Sequence, residues 1–444
     1  MGAGAGDPPG RRHRRAGVVS GEPRDPLRVV VVGQGYVGLP LAMRAVEAGH
    51  HVVGVEIDEG RVKRLADGDS FVEDVAPAVV RDALSSGRYR VTLDVGDCVG
   101  FDVAVITVPT PLRDGVPDLS AIEHAGTALA PLLRPGCLVV LESTTYPGTT
   151  DELLVPILEG GAGLTAGRDF AVGYSPERID PGNRDHTLVT TPKIVSGFTA
   201  ACRQRTATFY RTIVETTVEV SSTRSAELAK LVENTFRHVN VALVNELAMF
   251  ARDLGIDVWE TVDAAATKPF GFMRFNPGPG VGGHCLPIDP SYLSWAVEHR
   301  LGRPFRFVEL ANEINDHMPR YVVARLTDAL DRRGIGVATA RVLVLGLAYK
   351  RNSSDARESP AIAVVEQLLR RGVDVAVADP HVVEDVLTST AYRRVTLDAG
   401  EVAAADAVVL ITDHDAFDYD LVLELADYVL DTRHRMDGPG VEHL

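Results

Sequence analysis

The sequence predicts an α/β protein with two parallel-sheet domains joined by a long central helix. Three observations predict it. Short apolar strands alternate with helical stretches from Leu27 to about residue 215. The pattern then turns purely helical between about Ser225 and Leu254, and the alternation resumes after about residue 320. Strands that alternate with helices form parallel sheets covered on both faces, so both ends of the chain read as Rossmann-like. With 444 residues the chain is too long for one ordinary core, which agrees with several domains.

The elements follow in order. Leu27–Val32 is an apolar, β-branched run, followed by GQGYVG at 33–38. Leu39, Met43 and Val46 then recur at helical spacing, with Gly49 as the stop. HVVGVEID (51–58) is a second strand, and 102–108, 137–142 and 170–174 are further ones. The helix over 225–254 runs about 45 Å at 1.5 Å per residue, long enough to cross a domain or build an interface, and Gly255 ends it. A loop rich in Gly and Pro follows, PFGFMRFNPGPGVGGHCLPIDP. RVLVLGLAYK, the helix ESPAIAVVEQLLRR closed by Gly372, VDVAVADP and DAVVLITD complete the second α/β unit. The expected division is a disordered tail at 1–26, a dinucleotide-binding domain at 27–215, a central helical domain at 216–319 and a second α/β domain at 320–444.

Composition excludes some partners. The formal net charge is −16, which repels nucleic acid and anionic lipid. No apolar run reaches the roughly 20 residues of a membrane span. Cys98, Cys137, Cys202 and Cys285 are scattered, with no metal-ligand spacing, which fits free thiols in a reducing cytoplasm and no bound metal. The Arg-rich tail lacks the apolar segment of a signal peptide.

Gly33, Gly35 and Gly38 form G-x-G-x-x-G after a strand and before a helix, and Gly33 lies 23 residues before Glu56 at the end of the next strand. In that setting the glycines let backbone approach a pyrophosphate at a helix N-terminus, and the acid accepts from ribose hydroxyls. An acid there repels a 2′-phosphate, so NAD is expected rather than NADP. TVPTP (107–111) and ESTTYPGTT (142–150) stand at the carboxyl ends of later strands, where open sheets bind ligands. Thr107, Thr110, Ser143, Thr144 and Thr145 have two readings, hydrogen bonds to a ligand or caps and turns. Lys230 and Asn234 share a helix face at i and i+4, either as a solvated stripe or, with apolar Leu228, Leu231, Val232 and Phe236 around them, as a pair pointing into a cleft. Cys285 follows GVGG and His284 in a glycine-rich loop, and Asp289 lies four residues on. A cysteine there reads as a nucleophile, whereas the other three read as inert buried thiols.

Taken together, GQGYVGLP, TVPTP, ESTTYPGTT, YSPERIDPGN, AELAKLVENTFR, NPGPGVGGHCLPIDP, GLAYKRNSSDARESP and DTR resemble the UDP-sugar dehydrogenases of the UDP-glucose/GDP-mannose dehydrogenase family. The likeness runs from about Leu27 to Arg433. GGHCLPIDP, SPERIDPGN and FRFVELANEINDHMP are more similar to the N-acetylhexosamine enzymes, with UDP-N-acetylglucosamine as the expected substrate and UDP-N-acetylmannosamine or UDP-glucose as alternatives. The resemblance implies an NAD-dependent, four-electron oxidation of CH2OH to carboxylate through a cysteine thioester. It makes Cys285 the nucleophile, Lys230 and Asn234 the groups that polarise oxygen, and Asp289 a proton carrier. Glu177 and Thr144 position the hydrolytic water. It puts Gly33, Gly35, Tyr36, Val37, Gly38, Glu56, Asp58, Arg61, Thr107, Pro109, Thr110, Ser143, Thr144 and Arg357 on the cofactor. Glu177, Arg178, Lys230, Asn234, Asn276, Gly278, Gly280, Gly282, Gly283, Lys350 and Arg433 fall on the substrate. One departure is the residue after Ser353: Ser354 and Asp355 stand where many relatives have two acids. The long helix is expected to join at least two copies of the chain. A two-electron β-hydroxyacid dehydrogenase needs neither Cys285 nor residues 320–444. A non-catalytic nucleotide-sugar sensor would not need Cys285, Lys230, Asn234 and Asp289 complete.

Overall fold

The computed structural model describes residues 25–444 apart from 114, 180–184, 284–287, 384–385 and 388–390. All but the last two residues of the expected tail, and Cys285 itself, lie outside the described residues.

The first sheet contains β1 (Arg28–Val32), β2 (His51–Val55), β3 (Tyr89–Thr92), β4 (Val103–Ile106), β5 (Leu138–Leu141) and β6 (Ala171–Tyr174). Their order is β3-β2-β1-β4-β5-β6, all parallel. Four of the five residues of β1 are buried valines, because helices cover both faces of the sheet. The chain first winds to one side of β1 and then restarts at β4 on the other. The carboxyl ends of β1 and β4 therefore diverge into a crevice, the ligand site of an open α/β sheet. Helix α1 (Gly38–Glu47) starts at that crevice, and Gly49, with φ +94°, closes it in the left-handed conformation an L side chain resists.

Helix α2 spans Thr223–Asp253, within two residues of the expected ends. It packs against α3 (Asp289–Leu301) and α4 (Arg306–Arg332). Its Ser222 cap accepts from the Ser225 amide. Pro319 sits inside α4, and with no N–H it cannot bond the Asn315 carbonyl one turn earlier. Gly280 of the glycine-rich loop packs there, where a Cβ would stand 3.3 Å from that carbonyl.

The second sheet repeats the first. Its strands are β7 (Arg341–Leu345), β8 (Asp374–Ala378), β9 (Arg393–Arg394), β10 (Ala407–Leu410), β11 (Val429–Asp431) and β12 (Val441–His443). They pair in the order β9-β8-β7-β10-β11-β12, again parallel. Helix α5 (Pro360–Arg370) covers one face. Arg252 of α2 and Arg325 and Arg332 of α4 all reach Glu442 of β12, at 3.0, 2.6 and 3.2 Å, which ties the central helices to this sheet.

Candidate active site

The glycine turn is shaped by contact. A Cβ on Gly38 would stand 1.8 Å from the Gly33 carbonyl, and one on Gly33 2.9 Å from the Thr107 carbonyl. Gly35 differs, since its Cβ would meet nothing within 4 Å, so its backbone faces open space where a pyrophosphate would approach. Glu56 is buried, and its carboxylate accepts from the amides of Gln34 (3.1 Å), Ile57 (2.9 Å) and Asp58 (3.2 Å). It therefore builds the turn, and with about four acceptor sites keeps capacity for a ribose hydroxyl. Arg61 lies 3.8 Å from it, while Asp58 caps the next helix by accepting from the Arg61 amide at 2.9 Å. Tyr36 and Val37 complete the turn. These residues fit an adenine dinucleotide.

The strand-end hydroxyls point inward. Thr107 donates to the carbonyls of Val32 and Gly33, both 2.9 Å away. Ser143 donates to Val108 O and Thr110 to Thr144 O, both 2.7 Å away. Thr145 and Thr149 bond each other at 2.6 Å. Strand-end carbonyls that have left the ladder need donors, and these side chains supply them. Of the two readings open for them, turn building is the one these contacts show. Pro109 lies between the Thr107 and Thr110 contacts, and Tyr292 of α3 pins the strap by donating to Thr110 O at 2.8 Å.

Lys230 and Asn234 face inward. Lys230 is buried and Asn234 half-buried. Among the apolar neighbours expected to line a cleft, only Leu231 is buried, whereas Leu228, Val232 and Phe236 are 41%, 52% and 48% exposed. That expectation is corrected: the polar pair is interior because charged partners await it there. Asn234 Nδ2 donates to Asp289, the buried first residue of α3. Burial pushes the Asp289 carboxyl up to about 6, against the opposing pull of Lys230 and the Asn234 bond.

Glu177, three residues beyond β6, accepts from the amides of Arg178 and Ile179 and lies 3.3 Å from Lys193. Burial raises its carboxyl, but Lys193, those amides and Lys230 outweigh it and hold the group below its ordinary range. Arg178 bridges to Glu233 of α2 at 2.7 Å. Thr144 is half-buried, and its carbonyl accepts from Thr110. Tyr174, at the end of β6, is fully buried near Glu227, Asp289, Glu142 and Glu233; burial and these acids keep its hydroxyl protonated.

The glycine loop docks on the second sheet. A Cβ on Gly282 or Gly283 would stand 2.7 Å from Tyr349, and one on Gly278 3.0 Å from Arg433. The Gly278 amide donates to Asn245 of α2 at 2.9 Å. Arg433 is held by Ile411 O at 2.7 Å, and Lys350 follows β7, half-buried. Asn276 is exposed, its side-chain oxygen accepting from Arg274 at 2.9 Å. Arg357 pairs twice with Asp355, at 2.8 and 2.6 Å, and Ser354 donates to Glu73 at 2.5 Å. Ser354 thus joins the two sheet domains, while Asp355 fixes Arg357 within the second.

The sequence reading missed Glu142, Lys193, Tyr210 and Asn245. A lysine opening the apolar run KIV (193–195) was the available signal. Cys98, Cys137 and Cys202 are buried as expected, and burial pushes the Cys98 thiol up to about 11. His434, Asp437 and His443 bring ligand-capable atoms within 4.8 Å of one another, a grouping that the sequence spacing had not shown.

A glycine turn at a sheet crevice, an acid on its ribose side and a Lys-Asn-Asp cluster define an NAD-dependent oxidoreductase. Three family models match: the NAD binding domain (27–214), central domain (224–317) and UDP binding domain (343–438) of the UDP-glucose/GDP-mannose dehydrogenase family. The chain belongs to that family. It is 38% identical to a UDP-N-acetyl-D-glucosamine 6-dehydrogenase of Pseudomonas aeruginosa, over 88% of this chain and 91% of the relative. A UDP-N-acetyl-D-mannosamine dehydrogenase of Pyrococcus horikoshii is 37% identical over 88% and 90%. A solved UDP-D-ManNAc dehydrogenase from Pyrococcus horikoshii superposes with a TM-score of 0.84, at 33% identity, covering 94% of this chain and 99% of that one. No helix among the described residues is long and apolar enough to cross a membrane.

Proposed function

We propose that this chain is a cytoplasmic enzyme that oxidises the C6 hydroxymethyl of a UDP-N-acetylhexosamine to the uronic acid, with UDP-N-acetyl-D-glucosamine preferred. The observation that carries this reading is the Asn234–Asp289 bond. It joins the polar face of α2 to the residue four beyond Cys285 in the chain, which supports assigning the nucleophile and the helix pair to one site. The names of the two relatives support an N-acetylhexosamine. The division at 27–215, 216–319 and 320–444 belongs to the same proposal.

The chain's residues divide the work. Lys230 and Asn234 hold the C6 oxygen and stabilise the charge it gains as each addition occurs. Asp289 takes the hydroxyl proton. The Cys285 thiolate adds to the C6 aldehyde and leaves when water attacks the thioester; the Lys230 charge would favour the thiolate. Glu177, with Thr144, orients that water and takes its proton. Gly278, Gly280, Gly282, Gly283, Lys350 and Arg433 bind the UDP part. When bound, NAD supplies the acceptor for the two hydrides that a four-electron oxidation releases.

We also propose that two copies pair through α2. Leu228, Val232, Phe236, Leu243 and Phe250 are all exposed and fall on one stripe of that helix. The functional test is a panel of UDP-sugars read by NADH absorbance. Two NADH per UDP-N-acetylglucosamine are expected. One would indicate a two-electron enzyme, none a nucleotide-sugar sensor, and a higher kcat/KM for UDP-N-acetylmannosamine or UDP-glucose would reassign the sugar.

A further inference from the structure

Behind Glu177 lies a buried ion cluster with no place in the chemistry above. Lys193 is 2% exposed, and its ammonium sits between two carboxylates, 3.0 Å from Glu142 and 3.3 Å from Glu177. Glu142, at the end of β5, is 1% exposed and accepts from the Tyr210 hydroxyl on its other oxygen. A lysine so deeply buried is costly unless paired. Here it spans two acids, one of them the proposed water-binding carboxylate.

We propose that Lys193 is a positioning residue for thioester hydrolysis, clamping Glu177 from behind in its ionised form while Glu142 anchors the lysine from the far side. The inference rests on the proposed role of Glu177. Two carboxylates share one buried ammonium, so Glu142, Lys193 and Glu177 together carry one net negative charge when all three ionise. Glu142 faces Lys193, Glu177 and Tyr210, and burial drives its carboxyl up to about 7. Glu177 faces Lys193, Lys230 and two amides, and is held low. The extra proton therefore goes to Glu142, and Glu177 stays free to accept one. In the hydrolytic step Glu177 takes a proton from water, the new carbon–oxygen bond forms, the carbon–sulfur bond breaks and the Cys285 thiolate leaves. Without Lys193, burial would be opposed only by Lys230 and the two amides, so Glu177 would shift toward the protonated form, which cannot act as base.

The test separates oxidation from hydrolysis with UDP-N-acetylglucosamine and NAD. Pre-steady-state NADH formation reads oxidation, and quenched intact-protein mass spectrometry follows decay of the acyl adduct. Lys193→Met should slow adduct decay about a hundredfold more than it slows the NADH burst, the scale of one general base. Lys193→Arg should restore most of it. Glu142→Gln should remove the inflection near neutral pH from the adduct-decay profile. Adduct decay at the unmutated rate in Lys193→Met, with slow decay in Glu177→Gln, would overturn the inference and leave Glu177 in place. Normal decay in Glu177→Gln would instead overturn the reading beneath it. Should Lys193→Met fail to fold, the Glu142→Gln profile decides, and an unchanged inflection overturns the inference.

Discussion

The Arg357 guanidinium, from the second sheet domain, lies over the ring of Tyr36 in the glycine turn of the first, 5.6 Å from its centroid. Its fork is fixed by Asp355, so the charge is presented to the cofactor turn in one orientation. The second domain thereby closes one side of the dinucleotide crevice. Arg357→Ala should weaken NAD binding about tenfold, the scale of one charge-assisted hydrogen bond, with the UDP-sugar Kd little changed. Calorimetric titration with each ligand separately would show it. Unchanged NAD affinity would remove Arg357 from the cofactor.

Glu56 bears on cofactor choice and on the turn at once. The unmutated protein should prefer NAD strongly over NADP. Because Glu56 also accepts from three amides, Glu56→Ala should narrow the preference while weakening both cofactors. Gly35→Ala offers a cleaner probe, since the added methyl meets no protein atom. It should leave thermal unfolding unchanged and still raise the KM for NAD. Equal turnover with NAD and NADP in the unmutated protein would sink the assignment.

Asp289 sets a pH dependence. With its carboxyl raised to about 6 by burial, the ionised base is lost as pH falls through that value. Oxidation measured by the NADH burst should decline on that acid limb, and Asp289→Asn should abolish the limb along with most of the rate. Stability runs the opposite way. The unfolded carboxyl titrates at its ordinary 3.8, so between there and about 6 the folded state holds the extra proton and stability falls as pH rises.

Glu227 makes a structural prediction. Buried on α2, it accepts from the amides of Gly148 (2.6 Å) and Thr150 (2.9 Å) and from the Thr150 hydroxyl (2.7 Å). Glu227→Ala would orphan two buried amides and cost about 2–6 kcal/mol, at about 1–3 kcal/mol each, enough to see in thermal unfolding. A shift within error would show that water replaces the carboxylate.

What could be read from sequence was local. Gly33, Gly35, Gly38 and Glu56 announce a cofactor turn because strand, turn, helix and acid follow within one βαβ unit. Lys230 and Asn234 were found by spacing, yet the direction of their face was drawn from apolar neighbours that in fact point outward. Helical periodicity locates a stripe without saying which side is the interior. Lys193 escaped notice because Glu142, Glu177 and Tyr210 come from separate elements, and only the sheet order makes them neighbours. Arg357 was placed by resemblance, while its contact with Tyr36 depends on how two domains meet.

Helix α2 carries Lys230 and Asn234 on its inner side and Leu228, Val232 and Phe236 on its outer side. Under the proposed pairing through α2, a single rod would couple quaternary assembly to the proposed reacting centre. On dilution below the dissociation constant of the proposed dimer, the rod would lose its outer support and be free to shift relative to α3. Specific activity should then fall with enzyme concentration before any loss of fold, so assay concentration becomes an experimental variable for this protein.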